Sequence, residues 1–189
     1  MELAIAKARA NGVGVVSAFD GNHIGALGFY SSMPLRHGMI GFALSNSAAT
    51  MAAPGGRKPV LGNNPFSLAI PAGNAPPFIL DAATSVMTCG ALNFYHTKGK
   101  KLPPGCFLDK KGNFTSSAKR AEVVLPMAGH KGYGIAMGIG LVTCLLSGGP
   151  FDLDLLRPAR HSAAPGAYSL FMAAVRIDLF DRLHNVLGR

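Results

Sequence analysis

The chain has no stretch of eighteen apolar residues free of polar or glycine punctuation, so no membrane-spanning helix is expected. The nearest approach, residues 132–146, is fifteen residues long with four glycines and reads as a buried helix. The first twelve residues, MELAIAKARANG, place an acid at position 2 and polar residues throughout, which a secretory leader does not tolerate. Cysteine is scarce: Cys89, Cys106 and Cys144 are odd in number and follow no CxxC or Cys/His ligand spacing. They read as reduced thiols of a cytoplasmic protein. The six histidines form no HxH or HExxH pattern, and no metal site is expected. The Walker A motif and GxSxG are absent, and Gly12-Val-Gly14 precedes an apolar run instead of following one, so the Rossmann fingerprint is missing as well.

Acidic residues are few, 9 against 18 Lys and Arg, for a net charge of +9. The only dense basic zone, Lys98, Lys100, Lys101, Lys110, Lys111, Lys119 and Arg120, is broken by prolines, glycines and a turn at Asp109–Gly112. Nucleic-acid binding needs clustered cations, and this zone reads as a solvated basic face. What is abundant is apolar content, 49% over 189 residues with mean hydropathy +0.28, enough to fill one substantial core. With 24 glycines and 13 prolines, the chain must turn often between short elements.

The periodicities predict a helix over residues 2–10 closed by Asn11-Gly12, a buried strand over 13–19, and a helix over 24–35. Strands follow over 39–44, 66–70 and 78–80. A helix over 86–95, capped by Thr84 or Ser85, precedes a hairpin over 102–115 that turns at Asp109–Gly112. The apolar helix from 132, an irregular connection over 153–166, a strand over 168–177 and a helix over 180–187 complete the chain. Such alternation, broken by hairpins, indicates a mixed α/β fold, with a mixed sheet carrying helices. Residues 1–150 form the body of this fold, and 151–189 add a connection, a returning strand and a cut-off helix to it.

The stretch 21–65 concentrates glycine, small polar and basic residues where backbone amides can meet a charged ligand. His23, at a turn after a strand, is either a general acid/base or a hydrogen-bonding turn residue. Ser47 reads as a turn hydroxyl. Asp81, at a strand end, either accepts ribose hydroxyls or caps the turn over 82–85. Lys131, at a glycine-rich helix start, either meets a phosphate or is solvated.

Five motifs in order carry more than any one of them: NHIGALGFY (22–30), LSNSAATMAAPGGRKPVLGNNPFSLAIP (44–71), ILDAATS (79–85), the LPPG…D…G…T hairpin, and LPMAGHKGYGIAM (125–137). Together they resemble the malate/L-lactate dehydrogenase family that lacks the Rossmann fold, whose relatives include ureidoglycolate, sulfolactate and diketogulonate dehydrogenases and the piperideine-2-carboxylate reductases. The resemblance implies an NAD- or NADP-dependent interconversion of a 2-hydroxy acid and a 2-oxo acid, by a cytoplasmic homodimer with a mixed α/β fold of its own. It implies His23 as the acid/base, and Ser47, Asp81, Ala82, Ala83 and Lys131 as dinucleotide contacts. It also implies truncation at both ends, because the helix that holds the substrate carboxylate would precede Met1. Departures are Gly90-Ala91 where Gly-Lys is common, Gly140 in place of an acid, and Thr115-Ser116-Ser117 without Asp-Pro. The alternative is a non-catalytic remnant that keeps cofactor binding or dimerisation.

Overall fold

A computed structural model describes residues 1–151, 155 and 167–179; apart from Leu155, the expected connection over 153–166 and the helix over 180–187 lie outside them. The first helix, α1 (Glu2–Asn11), carries Glu2 in its first turn and Arg9 in its last, matching the helix dipole. Gly12, at φ 83°, closes it by donating its N–H to the Ala8 carbonyl at 2.7 Å. Strand β1 (Val13–Gly21) follows, then α2 (Leu27–Ser32) and a 3-10 turn over Met33–His37. The helix expected over 24–35 is thus shorter and changes type at Met33-Pro34, since proline has no N–H to continue the α pattern.

Strands β2 (Met39–Ser45), β3 (Ala49–Ala52), β4 (Pro59–Gly62), β5 (Phe66–Ile70) and β6 (Phe78–Ala82) come next. Helix α3 (Cys89–Thr97), β7 (Phe107–Leu108), β8 (Val123–Val124), α4 (His130–Ser147) and β9 (Tyr168–Arg176) complete the described elements. Two sheets result. One is five-stranded and antiparallel throughout, in the order β1-β9-β2-β5-β6; the other, β4-β3-β8-β7, is mixed through its parallel β3–β8 pair. The architecture is a mixed α/β fold with flanking helices. Among the described residues no helix is long and apolar enough to cross a membrane.

Three expectations are corrected. Strand β1 is not buried: it is the sheet edge, covered by α1 on one face, and Val13, Val15 and Phe19 are exposed. The β3–β4 hairpin was not foreseen, its four-residue strands being short against the Pro54-Gly55-Gly56 turn between them. The cap of α3 is Thr88, whose Oγ1 accepts from the Ala91 N–H at 3.1 Å, because Ser85 is taken up in a β-bridge with Pro126. The turn at Asp109 is as expected, with its carboxylate accepting from the N–H groups of Lys111 and Asn113 at 2.9 and 3.0 Å.

The main core sits between the smaller sheet and α4, where Met51, Leu61, Leu102, Phe107, Val124 and Ala136 pack together. Each large side chain there contributes about 1.5–3 kcal/mol by leaving water. Helix α4 is only half buried: Gly132, Ala136, Ile139, Gly140 and Thr143 face inward while Leu141, Leu145 and Leu146 are exposed. A second cluster, Ala4, Ile5, Ala8, Met39 and Ala174, holds α1 on the larger sheet.

Candidate active site

A cavity of about 380 Å³ opens where β2 ends, beside the end of β6, the start of α2 and the start of α3. Its walls are mostly aliphatic, with Ile24, Leu27, Ala48 and Pro65 among them, and a few polar groups converge on it. His23, Ser47, Asp81, Ala82 and Ala83, singled out along the sequence, all line it.

Ser47 is held rather than loose. Its N–H donates to Asn64 Oδ1 at 2.9 Å, and its hydroxyl donates to Asn63 Oδ1 at 2.9 Å. Asn64 is fully buried and donates from Nδ2 to the Ala136 carbonyl at 2.9 Å, which ties this wall to α4. Asn46, also buried, receives the Ser169 N–H at 2.7 Å and donates to the Pro150 carbonyl at 3.0 Å, locking the end of β2 to the start of β9. Buried amides of this kind are satisfied on both ends and so keep one geometry. Sequence reasoning saw Asn63 and Asn64 only as turn residues, took Asn46 only as part of the Ser45-Asn46-Ser47 segment after a strand, and passed over Thr88 and Tyr168; Asn46, Thr88 and Tyr168 line the same cavity. The doubled asparagine ahead of Pro65 was the available signal.

Asp81 lies at the end of β6, opposite Ser67 of β5. Its Oδ2 accepts the Gly28 N–H at 2.7 Å, so it caps α2, whose own N-cap Ala26 has no side chain for the task. The cap foreseen for 82–85 is therefore directed elsewhere, across 53 positions of sequence. Ser31 and Ser67 hydroxyls, 2.7 Å apart, and the Ser67 bond to the Leu80 carbonyl fasten α2 to the sheet behind it. Replacing Asp81 by alanine is expected to cost about 1 kcal/mol in urea unfolding, with asparagine losing less because it keeps an acceptor for Gly28. Equal stability of parent and alanine variant would refute that capping role.

His23 is exposed at the cavity mouth, and its Nδ1 accepts the Gly25 N–H at 3.1 Å. A lone pair at Nδ1 puts the proton of the neutral ring on Nε2. The Tyr30 hydroxyl donates to the Ile24 carbonyl at 3.3 Å and steadies the loop between them.

At the opposite wall stand Thr88, Cys89 and Gly90 of the α3 start. Desolvation by its neighbours at the cavity wall pushes the Cys89 thiol above its ordinary value, which favours the protonated form. Lys131 does not line the cavity; it is exposed in the first turn of α4. The link is indirect: the Thr84 N–H donates to Asn63 at 3.1 Å and its carbonyl accepts from Met127 at 2.9 Å, which joins the start of α4 to the wall at Ala83. Among the described residues no group of His, Cys, Asp and Glu could hold a metal ion.

Known proteins resemble this chain in sequence and in fold. A family model for malate/L-lactate dehydrogenase matches residues 1–189. Malate dehydrogenase of Pyrococcus abyssi is 35% identical over 199 residues, covering 100% of this chain and 54% of that protein. L-sulfolactate dehydrogenase of Methanothermobacter thermautotrophicus is 40% identical over 153 residues, with 80% of this chain and 45% of that protein covered. The crystal structure of malate dehydrogenase from Entamoeba histolytica superposes with a TM-score of 0.90 at 26% identity, covering 98% of this chain and 55% of that one. The chain spans about half the length of the curated relatives it matches. By the family model and these relatives, the chain belongs to the malate/L-lactate dehydrogenase family.

Proposed function

We propose that this chain carries the cofactor-facing core of an NAD- or NADP-dependent oxidoreductase that interconverts a 2-hydroxy acid and a 2-oxo acid, with His23 as acid/base. The observation behind this reading is that one cavity gathers His23, Ser47, Asp81, Ala82 and Ala83 from three separate parts of a chain whose relatives are dehydrogenases. The residues fit a nicotinamide group. Aliphatic walls suit the flat ring, Ser47 and the second carboxylate oxygen of Asp81 suit ribose hydroxyls, and the α3 start presents N–H groups to phosphate. In this reading Lys131 reaches the dinucleotide from the flank, residues 1–150 are the cofactor-binding core, and 151–189 complete the same fold. The free thiols Cys89, Cys106 and Cys144 suit a cytoplasmic protein, and a homodimer is the assembly the family resemblance implies.

When bound, the cofactor supplies or removes a hydride at C2 of the acid. His23 moves the matching proton through Nε2, the edge not engaged by Gly25. The Gly25 contact exists only for the neutral ring protonated at Nε2. The acid is the charged ring: it carries hydrogen at both nitrogens, and once it has given its Nε2 proton to the substrate oxygen it is left neutral with hydrogen at Nδ1, so either form must release Gly25. Exposed loop residues on both sides of this contact permit that change.

The test is oxidation of NADH and of NADPH with oxaloacetate, pyruvate, sulfopyruvate and cyclic imino acids. Turnover with at least one of them is the expected result. Calorimetric binding of NADH without turnover would instead favour a remnant that keeps the cofactor, and absence of both would overturn the reading.

A further inference from the structure

Four residues of the exposed basic zone converge on one concavity. Lys100, Lys101, Lys119 and Arg120 line one cleft of about 440 Å³, together with Ser116 and Ser117. It lies between the C-terminal end of α3 and the turn over residues 116–120, distinct from the cavity at His23. No carboxylate lines it. Among the described residues the recorded ion pair is Arg176 with Asp178, so none of these four cations is neutralised by a protein acid.

The walls are fixed by backbone bonds rather than by the charges. Lys100 N–H donates to the Tyr95 carbonyl at 3.0 Å, and Gly99 N–H to the His96 carbonyl at 3.1 Å. Leu102 N–H donates to the Ser116 carbonyl at 2.9 Å, Lys101 and Ser117 form a β-bridge, and Arg120 N–H donates to the Ser117 carbonyl at 3.0 Å. Four like charges are therefore held around a concavity by elements that do not need them. Their summed positive potential in a concavity attracts an anion.

We propose that this cleft binds a phosphoryl dianion carried by a small molecule. Phosphate suits it better than a carboxylate. Its three terminal oxygens can share the Arg120 fork, the lysine ammonium groups and the two serine hydroxyls, whereas a carboxylate offers two oxygens and half the charge. The volume is that of a small-molecule site, and the cations surround a hollow instead of forming the long stripe that tracks a nucleic-acid backbone.

The dianion has two possible sources. One is a free phosphorylated metabolite. The other is the 2′-phosphate of NADP, since α3 joins the two cavities: Thr88, Cys89 and Gly90 at its start face the His23 cavity, and Tyr95 and His96 near its end line the cleft. Nine helical residues span about 14 Å, a distance an extended dinucleotide can bridge. This second source rests on the cofactor reading above; the dianion site itself does not.

The test uses titration calorimetry at constant ionic strength on the parent, on Lys100→Gln/Lys101→Gln and on Lys119→Gln/Arg120→Gln, with inorganic phosphate, NAD and NADP as probes. All four side chains are exposed, so both variants are expected to fold, and circular dichroism verifies it. Phosphate affinity is expected to fall about tenfold or more in each variant, through lost charge-assisted hydrogen bonds. A matching loss for NADP with NAD unchanged assigns the dianion to the cofactor. Loss for phosphate alone assigns the cleft to a separate phosphorylated ligand. Phosphate binding unchanged, or weakened no more than in a Lys110→Gln/Lys111→Gln control outside the cleft, overturns the proposal. If the parent binds neither dinucleotide while phosphate binding still depends on the four cations, the cofactor reading fails and the cleft stands.

Discussion

Replacing His23 by alanine is expected to lower turnover of the 2-oxo acid by about 10²- to 10⁴-fold while leaving NADH affinity within a few-fold of the parent. The size follows from removing one positioned proton donor whose loss is not compensated by solvent at the same geometry. The asymmetry between rate and binding follows from the site itself. His23 stands at the cavity mouth, whereas the walls proposed to hold the cofactor belong to Ser47, Asp81 and the start of α3. A His23→Gln variant separates two roles that alanine confounds. Glutamine can donate a hydrogen bond to the substrate oxygen but cannot transfer a proton near neutrality, so it is expected to restore substrate KM and not kcat. Single-turnover and steady-state rates on the parent and both variants decide the matter: equal kcat in all three would remove His23 from the chemistry.

Why these residues could be found from sequence is a question of where the chain turns. His23 and Ser47 follow β1 and β2, and Asp81 lies in the last turn-ward residues of β6, and each segment announces itself by small and polar residues after an apolar run. The cavity is built from strand ends brought side by side, so local pattern marked His23, Ser47 and Asp81 as candidates, each with a structural alternative, and the family resemblance added Ala82 and Ala83. Strand order is a different kind of information. Strand β9 inserts between β1 and β2, pairing Val16 with Met172 on one side and Ala43 with Met172 on the other. No period in residues 13–19 reveals that their strand will be an edge, because the neighbour arrives from the far end of the chain. The same holds for Asp81. Its carboxylate had a plausible local use and was taken by Gly28 N–H instead, a partner made adjacent only by the packing of α2 on β5 and β6. Thr88 displaced Thr84 and Ser85 as a cap for the same reason, since Ser85 is held in an isolated bridge with Pro126, a partner 41 positions away. Lys131 shows the complementary limit: its place at the start of α4 was legible, but not that α4 would begin behind the cavity wall.

The wall at Ser47 depends on a residue that contributes no side chain at all. Gly62, at the end of β4, pairs with Ala49, and a Cβ at that position would run into the Ser47 carbonyl and Asn64 Oδ1 and lie 2.6 Å from Ser47 Oγ. Two of these atoms are fixed by the bonds that define the wall, Ser47 N–H to Asn64 and Ser47 hydroxyl to Asn63, and Asn64 is in turn anchored on Ala136 of the main core. No flexible chain end is available to yield. Gly62→Ala is therefore expected to cost about 2–3 kcal/mol by overpacking, and, because the displaced group is the proposed ribose contact, to weaken NADH binding by about tenfold or more. Gly134→Ala is the matched control. It lies on the exposed side of α4 with open space where its Cβ would stand, so the same methyl group should stabilise the protein by about 0.5–1 kcal/mol through helix propensity. Urea unfolding and NADH titration on the two variants give four numbers with two opposite signs of stability change. A Gly62→Ala protein that binds NADH like the parent would show that Ser47 and its asparagine clamp are scaffold only, and that the cofactor, if it binds, rests on the Asp81 and α3 walls.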